Sequence, residues 1–288
     1  MKTLRNLLLW LLALAFTFGV AIYQRKTGPT HPVEGRARLG EIEFSYNLKR
    51  SYGGEGDCPV EIEIMDSMAG GFVVWKRHKL DEPTMIEPLQ WEGGRLVAYL
   101  PHQPPAGKLD YQVVLRSRSR EAVLPPGGPA VIRFKGAVPG WALIPHIVLI
   151  FTALLVAART SLAAILGHRT RGLAWVTLGL MVVGGLIFGP LVQKFAFGAF
   201  WTGWPFGEDL TDNKTAVMAL AWLIAVWQLR GEGGERRGRW WAVAAMVVTF
   251  AVYLIPHSMR GSELDWSTLP QEQVGSGVGE ASQGYDFR

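Results

Sequence analysis

Apolar residues recur at every second position through the first half of the chain. Ile42, Phe44, Tyr46 and Leu48 alternate with polar neighbours, and so do Val60, Ile62 and Ile64. Leu96, Ala98 and Leu100 repeat the pattern, as do Leu109, Tyr111, Val113 and Leu115; residues 72–75 and 131–134 complete the set. A period of two places alternate side chains on one face of a strand. Breakers separate the runs: Gly53-Gly54, Gly70-Gly71, Gly93-Gly94, Pro104-Pro105 and Pro125-Pro126. About seven short strands at such spacing predict a β-sandwich over residues 26–140.

Elsewhere the pattern lengthens into continuous apolar runs, at residues 7–23, 141–158, 173–192, 215–229 and 240–255. Runs of this kind predict membrane helices. The chain therefore reads as an α+β membrane protein. An N-terminal transmembrane helix (residues 1–25) leads into the β-sandwich, followed by a four-helix transmembrane bundle (141–258) and a flexible tail (259–288). The first run is read as a retained anchor; Gly19 and Ala21 also offer a small-x-small cleavage site for a signal peptide. Pro145 stands near the start of the second run, where a missing N–H is tolerated. The fourth run is short: at ~1.5 Å per residue it covers roughly 22 Å of a ~30 Å hydrocarbon core. In the third run Gly185 and Gly189 form a GxxxG with Gly184 beside it, a spacing that lets another helix approach closely.

Charge orients these runs. Lys2 and Arg5, a loop from Arg159 to Arg171, and a second loop with Arg236, Arg237 and Arg239 carry the basic residues nearest the spans. Short basic loops stay cytoplasmic. Five spans then alternate without exception, leaving the N-terminus inside and the β-domain and tail outside, in a bacterial inner membrane. The net charge of +5 over 288 residues is modest and confined to those loops, so no nucleic-acid partner is expected. Cys58 is the only cysteine, which excludes an intramolecular disulfide, a Cys-based zinc site and a CxxC pair. No Walker-type loop, HExxH or GxSxG occurs, so the chain reads as non-enzymatic, with lipid and an extracytoplasmic protein as its partners.

The connection at residues 195–214 carries the most unusual composition. Phe195, Phe197, Phe200, Trp201, Trp204 and Phe206 fall within a dozen residues, then Glu208, Asp209 and Asp212 follow. Rings beside a span prefer the headgroup layer, and Thr211 or Asp212 is placed to cap the next helix. The topology puts this loop on the outer face with Glu263 and Asp265. Trp201, Trp204, Phe206, Asp209, Asp212, Lys214, Glu263 and Asp265 are the candidate partner-binding residues. His146 and His257, each in an Ile-Pro-His triplet at the outer end of a span, form an alternative set that would hold a b-type haem between two imidazoles.

Two stretches carry resemblances. Trp75, Trp91-Glu-Gly-Gly, Leu96-Val-Ala-Tyr-Leu-Pro and Leu109-Asp-Tyr resemble an immunoglobulin-like module of bacterial extracellular proteins, which implies a fold and a role in contacts. FWTGWPFGEDLTDNKT with IPHSMRGSELDW is similar to a family of uncharacterised bacterial multi-span membrane proteins, with no activity attached. The Trp-rich loop between membrane histidines also looks like the haem-handling proteins of cytochrome c assembly. Those carry a tighter Trp-Gly-x-x-Trp-x-Trp-Asp string, whereas here Pro205 follows Trp204 and the acid waits until Asp209.

Overall fold

The computed structural model describes residues 2–206, 210–255, 264, 266 and 287. The chain divides into two compact units: a helical one of residues 2–29 and 138–255, and a β unit of residues 30–137 together with Leu264, Trp266 and Phe287.

The β unit contains eleven strands among the described residues. Hairpin β1 (Val33–Leu39) and β2 (Ile42–Leu48) forms a two-stranded antiparallel sheet. A larger sheet runs β3 (Ser51–Tyr52), β11 (Ala130–Phe134), β9 (Lys108–Ser117), β5 (Gly70–Arg77), β6 (Met85–Pro88), with β10 (Arg120–Leu124) also on β9. A third runs β4 (Cys58–Ile62), β8 (Arg95–Leu100), β7 (Gln90–Glu92). All three sheets contribute to one apolar core: Leu39, Phe44 and Leu48 from the hairpin, Val73, Trp75, Tyr111, Val113 and Phe134 from the large sheet, and Val60, Ile62, Leu96 and Leu100 from the third. Every alternating run named above lies in a strand except at its edge in one case: β4 ends at Ile62, so Ile64, though buried in the core, lies beyond it.

Local chemistry explains the turns. Gly93 and Gly94, both at positive φ, link β7 to β8 with Glu92 paired to Arg95, the two-residue hairpin that requires left-handed backbone at both central positions. Gly70-Gly71 is not a breaker. It opens β5, and a Cβ on Gly71 would run into the Val114 carbonyl of the adjacent strand. Cys58 is fully buried in the core, and desolvation pushes its thiol up to about 11, so it stays protonated and unreactive.

Five helices make up the helical unit among the described residues: α1 (Lys2–Thr27), α2 (Gly140–Ile165), α3 (Arg171–Phe197), α4 (Leu210–Gln228) and α5 (Gly234–Leu254). Residues 3–27, α2 and α3 are long and apolar enough to cross a membrane, by length and composition. The outward leucines of α1, Leu4, Leu7, Leu8, Leu11 and Leu12, are exposed, as a lipid-facing surface requires. Trp222 is fully buried between α4 and α5, donating its indole N–H to Thr249 Oγ1 at 2.9 Å.

Four boundaries differ from the sequence reading. First, α2 continues past Ala158, so Arg159 is a buried helical residue and not part of a loop; its guanidinium donates to Asn6 Oδ1 at 2.6 Å and lies over the Trp10 ring. Second, α2 begins at Gly140, which puts Pro145 beyond the first turn, where its missing N–H removes an internal bond. Third, α4 starts at Leu210, five residues earlier than the apolar run, because Asp212 and Lys214 find buried partners; its 19 residues span roughly 28 Å. Fourth, α3 widens into a π turn over Val182–Ile187. Pro190 explains the position: its ring clashes with the carbonyl four residues back, and a helix relieves such a clash by kinking or bulging.

Candidate functional site

One end of the helical unit gathers the aromatic connection. Trp141, at the start of α2, meets Phe195, near the end of α3, edge to face at 5.7 Å. Gly198, in the left-handed conformation, stops α3, and its carbonyl accepts from Lys194 Nζ at 2.7 Å. The same Lys194 ammonium lies 5.6 Å from the Phe200 ring. Trp201 turns inward on its own loop, donating its indole N–H to the Trp204 carbonyl at 3.2 Å. Phe200, Trp204 and Phe206 turn outward, at 55%, 77% and 82% exposure.

Asp212 fixes this loop. It lies in the first turn of α4, is buried, and accepts from the backbone N–H groups of Thr202 at 2.6 Å and Gly203 at 3.1 Å. It serves as the anion around which a neighbouring loop folds. Gln193 Nε2 of α3 donates to Thr202 Oγ1 at 2.8 Å, so α3, the loop and α4 share one polar cluster. Lys214, also buried, donates to the Ile255 carbonyl at 2.8 Å and so closes the free end of α5. The three exposed rings thus flank a backbone tied at Thr202 and Gly203.

His146 belongs to a different environment. Its Nδ1 lies 2.8 Å from the Gly184 carbonyl, inside the π turn of α3. A π turn leaves a carbonyl without its usual helical donor, and the imidazole N–H supplies one. This fixes the tautomer and leaves Nε2 as the nitrogen open to a ligand. The glycines expected to admit a neighbour do so on both sides. A Cβ on Gly184 would sit 2.7 Å from Leu149 Cβ of α2, one on Gly185 would strike Thr215 of α4, and one on Gly189 would lie 3.8 Å from the His146 ring.

The opposite end is built from charge. Glu235, at the start of α5, accepts from Thr170 N at 2.9 Å, Thr170 Oγ1 at 2.9 Å and Arg171 N at 3.0 Å. One carboxylate therefore caps α3 from another helix. Sequence reasoning missed it, because a Ser/Thr cap was available locally at Thr170 and the acid lies 65 residues away. Arg171, Arg236 and Arg237 stand beside it in the first turns of α3 and α5.

The structure thus brings together Trp201, Trp204, Asp212 and Lys214 at one end of the helical unit, with Phe206 exposed next to them. Asp209, His257, Glu263 and Asp265 lie outside the described residues. Among the described residues, no three His, Cys, Asp or Glu side chains converge as a metal site. No protein family, no curated protein and no solved structure matches the chain.

Proposed function

We propose that this chain is a non-enzymatic protein of the bacterial cytoplasmic membrane, an accessory or assembly subunit of an envelope complex. It crosses the membrane five times, as an N-terminal anchor and a four-helix transmembrane bundle, with the N-terminus inside. The β-sandwich and C-terminal segment lie outside, and the aromatic connection docks a protein partner there. The observation that carries this reading is the pinned loop. Asp212 holds the backbone of Thr202 and Gly203, so Phe200, Trp204 and Phe206 present large apolar area that is already ordered before contact. Preorganised aromatic anchors of this kind dominate binding interfaces. Arg171, Arg236 and Arg237, gathered at the end opposite the aromatic connection, support the orientation.

Single-cysteine labelling tests it, since the buried Cys58 gives no background. Phe206→Cys reacts with a membrane-impermeant maleimide in intact cells, and Arg237→Cys reacts only after permeabilisation. A photocrosslinker placed at Trp204 captures a protein partner, and Phe206→Ala weakens that capture about tenfold. The reverse labelling pattern rejects the topology, and crosslinking to lipid alone rejects the docking role.

One observation favours the alternative of haem binding through His146 and His257. Anchoring Nδ1 to a carbonyl is how ligating imidazoles are oriented, and His146 Nδ1 is so anchored. Under this reading the purified protein shows a Soret band that disappears in His146→Ala. Colourless protein from haem-replete cells ends it.

A further inference from the structure

The far end of β5 in the β unit holds an arrangement that the docking role does not use. Glu82 grips Arg77 from three directions: Oε1 accepts from the Arg77 backbone N–H at 2.7 Å, Oε2 accepts from Nε at 2.9 Å, and the outer guanidinium nitrogen completes an ion pair. The guanidinium is thereby locked as a flat platform. The Trp266 ring lies over it, 5.2 Å from centroid to Cζ. Next along the chain, His78 Nδ1 meets Asp110 Oδ1 at 2.7 Å, and the His78 backbone N–H donates to the Lys108 carbonyl at 3.0 Å. Beside these groups a cavity of about 100 Å³ is lined by His78, Lys79, Leu80, Ala106 and Lys108 and, from the C-terminal segment, by Leu264 and Trp266.

Two features mark this as a built cradle. Lys79 and Ala106 both hold positive φ, 64° and 74°, a conformation that side-chain-bearing residues adopt at a cost and that clusters where binding needs it. Gly107 faces Leu264: a Cβ there would lie 3.6 Å from Leu264 Cδ2 and tighter still against Gln103 and Pro104. Phe287 also meets β5, its ring 5.7 Å from Lys76 Nζ.

We propose that this cradle is a peptide-binding site for a short Leu-x-Trp segment flanked by acids, and that its resident ligand is the chain's own Leu264–Trp266. The indole on the Arg77 platform is the anchor, and Leu264 packs beside Gly107 and lines the cavity. Lys79 and Lys108 line the same cavity and give it a positive character. Held on the same chain, the segment binds at an effective concentration on the order of mM, so the site is closed to outside peptides until the segment leaves.

The test uses the full chain in detergent and a fluorescent peptide of residues 261–267. Trp266→Ala vacates the cradle, and the peptide binds this variant at least tenfold more tightly than it binds wild type. Binding to Trp266→Ala is lost when the peptide carries alanine for its tryptophan, and it falls about tenfold when Arg77→Ala is added, the size of a desolvated cation–π contact. Leu264→Ala, which leaves Trp266 in place, frees the segment in part, and hydrogen exchange then quickens at residues 77–80. Equal peptide binding to wild type and Trp266→Ala overturns the proposal. Crosslinks from Trp266 to Arg77 that form only between two copies of the chain overturn the same-chain assignment.

Discussion

Asp212→Ala unpins the aromatic connection and destabilises the helical unit by about 3 kcal/mol. The carboxylate accepts from two backbone N–H groups, and Gly203 is buried. Truncation leaves those donors facing a cavity, and each unsatisfied buried donor costs about 1–3 kcal/mol. Asp212→Asn keeps an oxygen acceptor while removing the charge, so it loses roughly half as much. Thermal unfolding in detergent micelles reads both effects. The same Asp212→Ala protein loses capture of its partner at Trp204 even below its unfolding temperature, because the rings no longer start from an ordered backbone. A variant as stable as wild type would show that the loop holds its shape without the carboxylate.

Gly184→Leu has the larger effect, because the obstruction is a Cβ and the backbone that carries it. Its Cβ alone would lie 2.7 Å from Leu149 Cβ and 3.2 Å from the Ile150 amide nitrogen. Neither can rotate aside, so α2 and α3 must separate. Overpacking commonly costs about 1–3 kcal/mol, and more where the neighbour cannot yield; Gly184→Leu is expected to exceed that range and to prevent accumulation of folded protein. Gly184→Ala falls within it. The internal control is Gly179, in the same helix, where a Cβ meets nothing within 4 Å. Gly179→Ala is expected to match wild type in thermal unfolding and in yield. Equal behaviour of Gly184→Ala and Gly179→Ala would remove the tight helix contact from the account.

Periodicity revealed the strands whose two faces differ most. In β2 the burial alternates as the sequence does, with Phe44, Tyr46 and Leu48 inside. The partner strand β1 was harder to see, because Arg36 and Arg38 alternate with Gly35 and Ala37, which are too small to signal an inner face. In β9 the alternation is real but burial is not one-sided: Gln112 and Val114 are as covered as Val113. The aromatic connection stood out by composition alone. What pins it did not, because Asp212 resembles a helix cap in sequence and only the fold brings Thr202 and Gly203 to it. Long-range pairs such as Arg159 with Asn6, or Glu235 with Thr170, carry no local signature at all. They are set by how helices lie together, which neither propensity nor period encodes.

The π turn of α3 has a geometric consequence for the ring-bearing end. One surplus residue in a helical winding offsets everything beyond it by roughly 100° around the axis. Phe188–Phe197 therefore present a different azimuth to their neighbours than an uninterrupted winding would give. Gln193, which reaches Thr202, and Phe195, which meets Trp141, both lie in the segment so offset. The azimuth of the ring-bearing end is thus set by the winding over Val182–Ile187, several turns before the exposed rings.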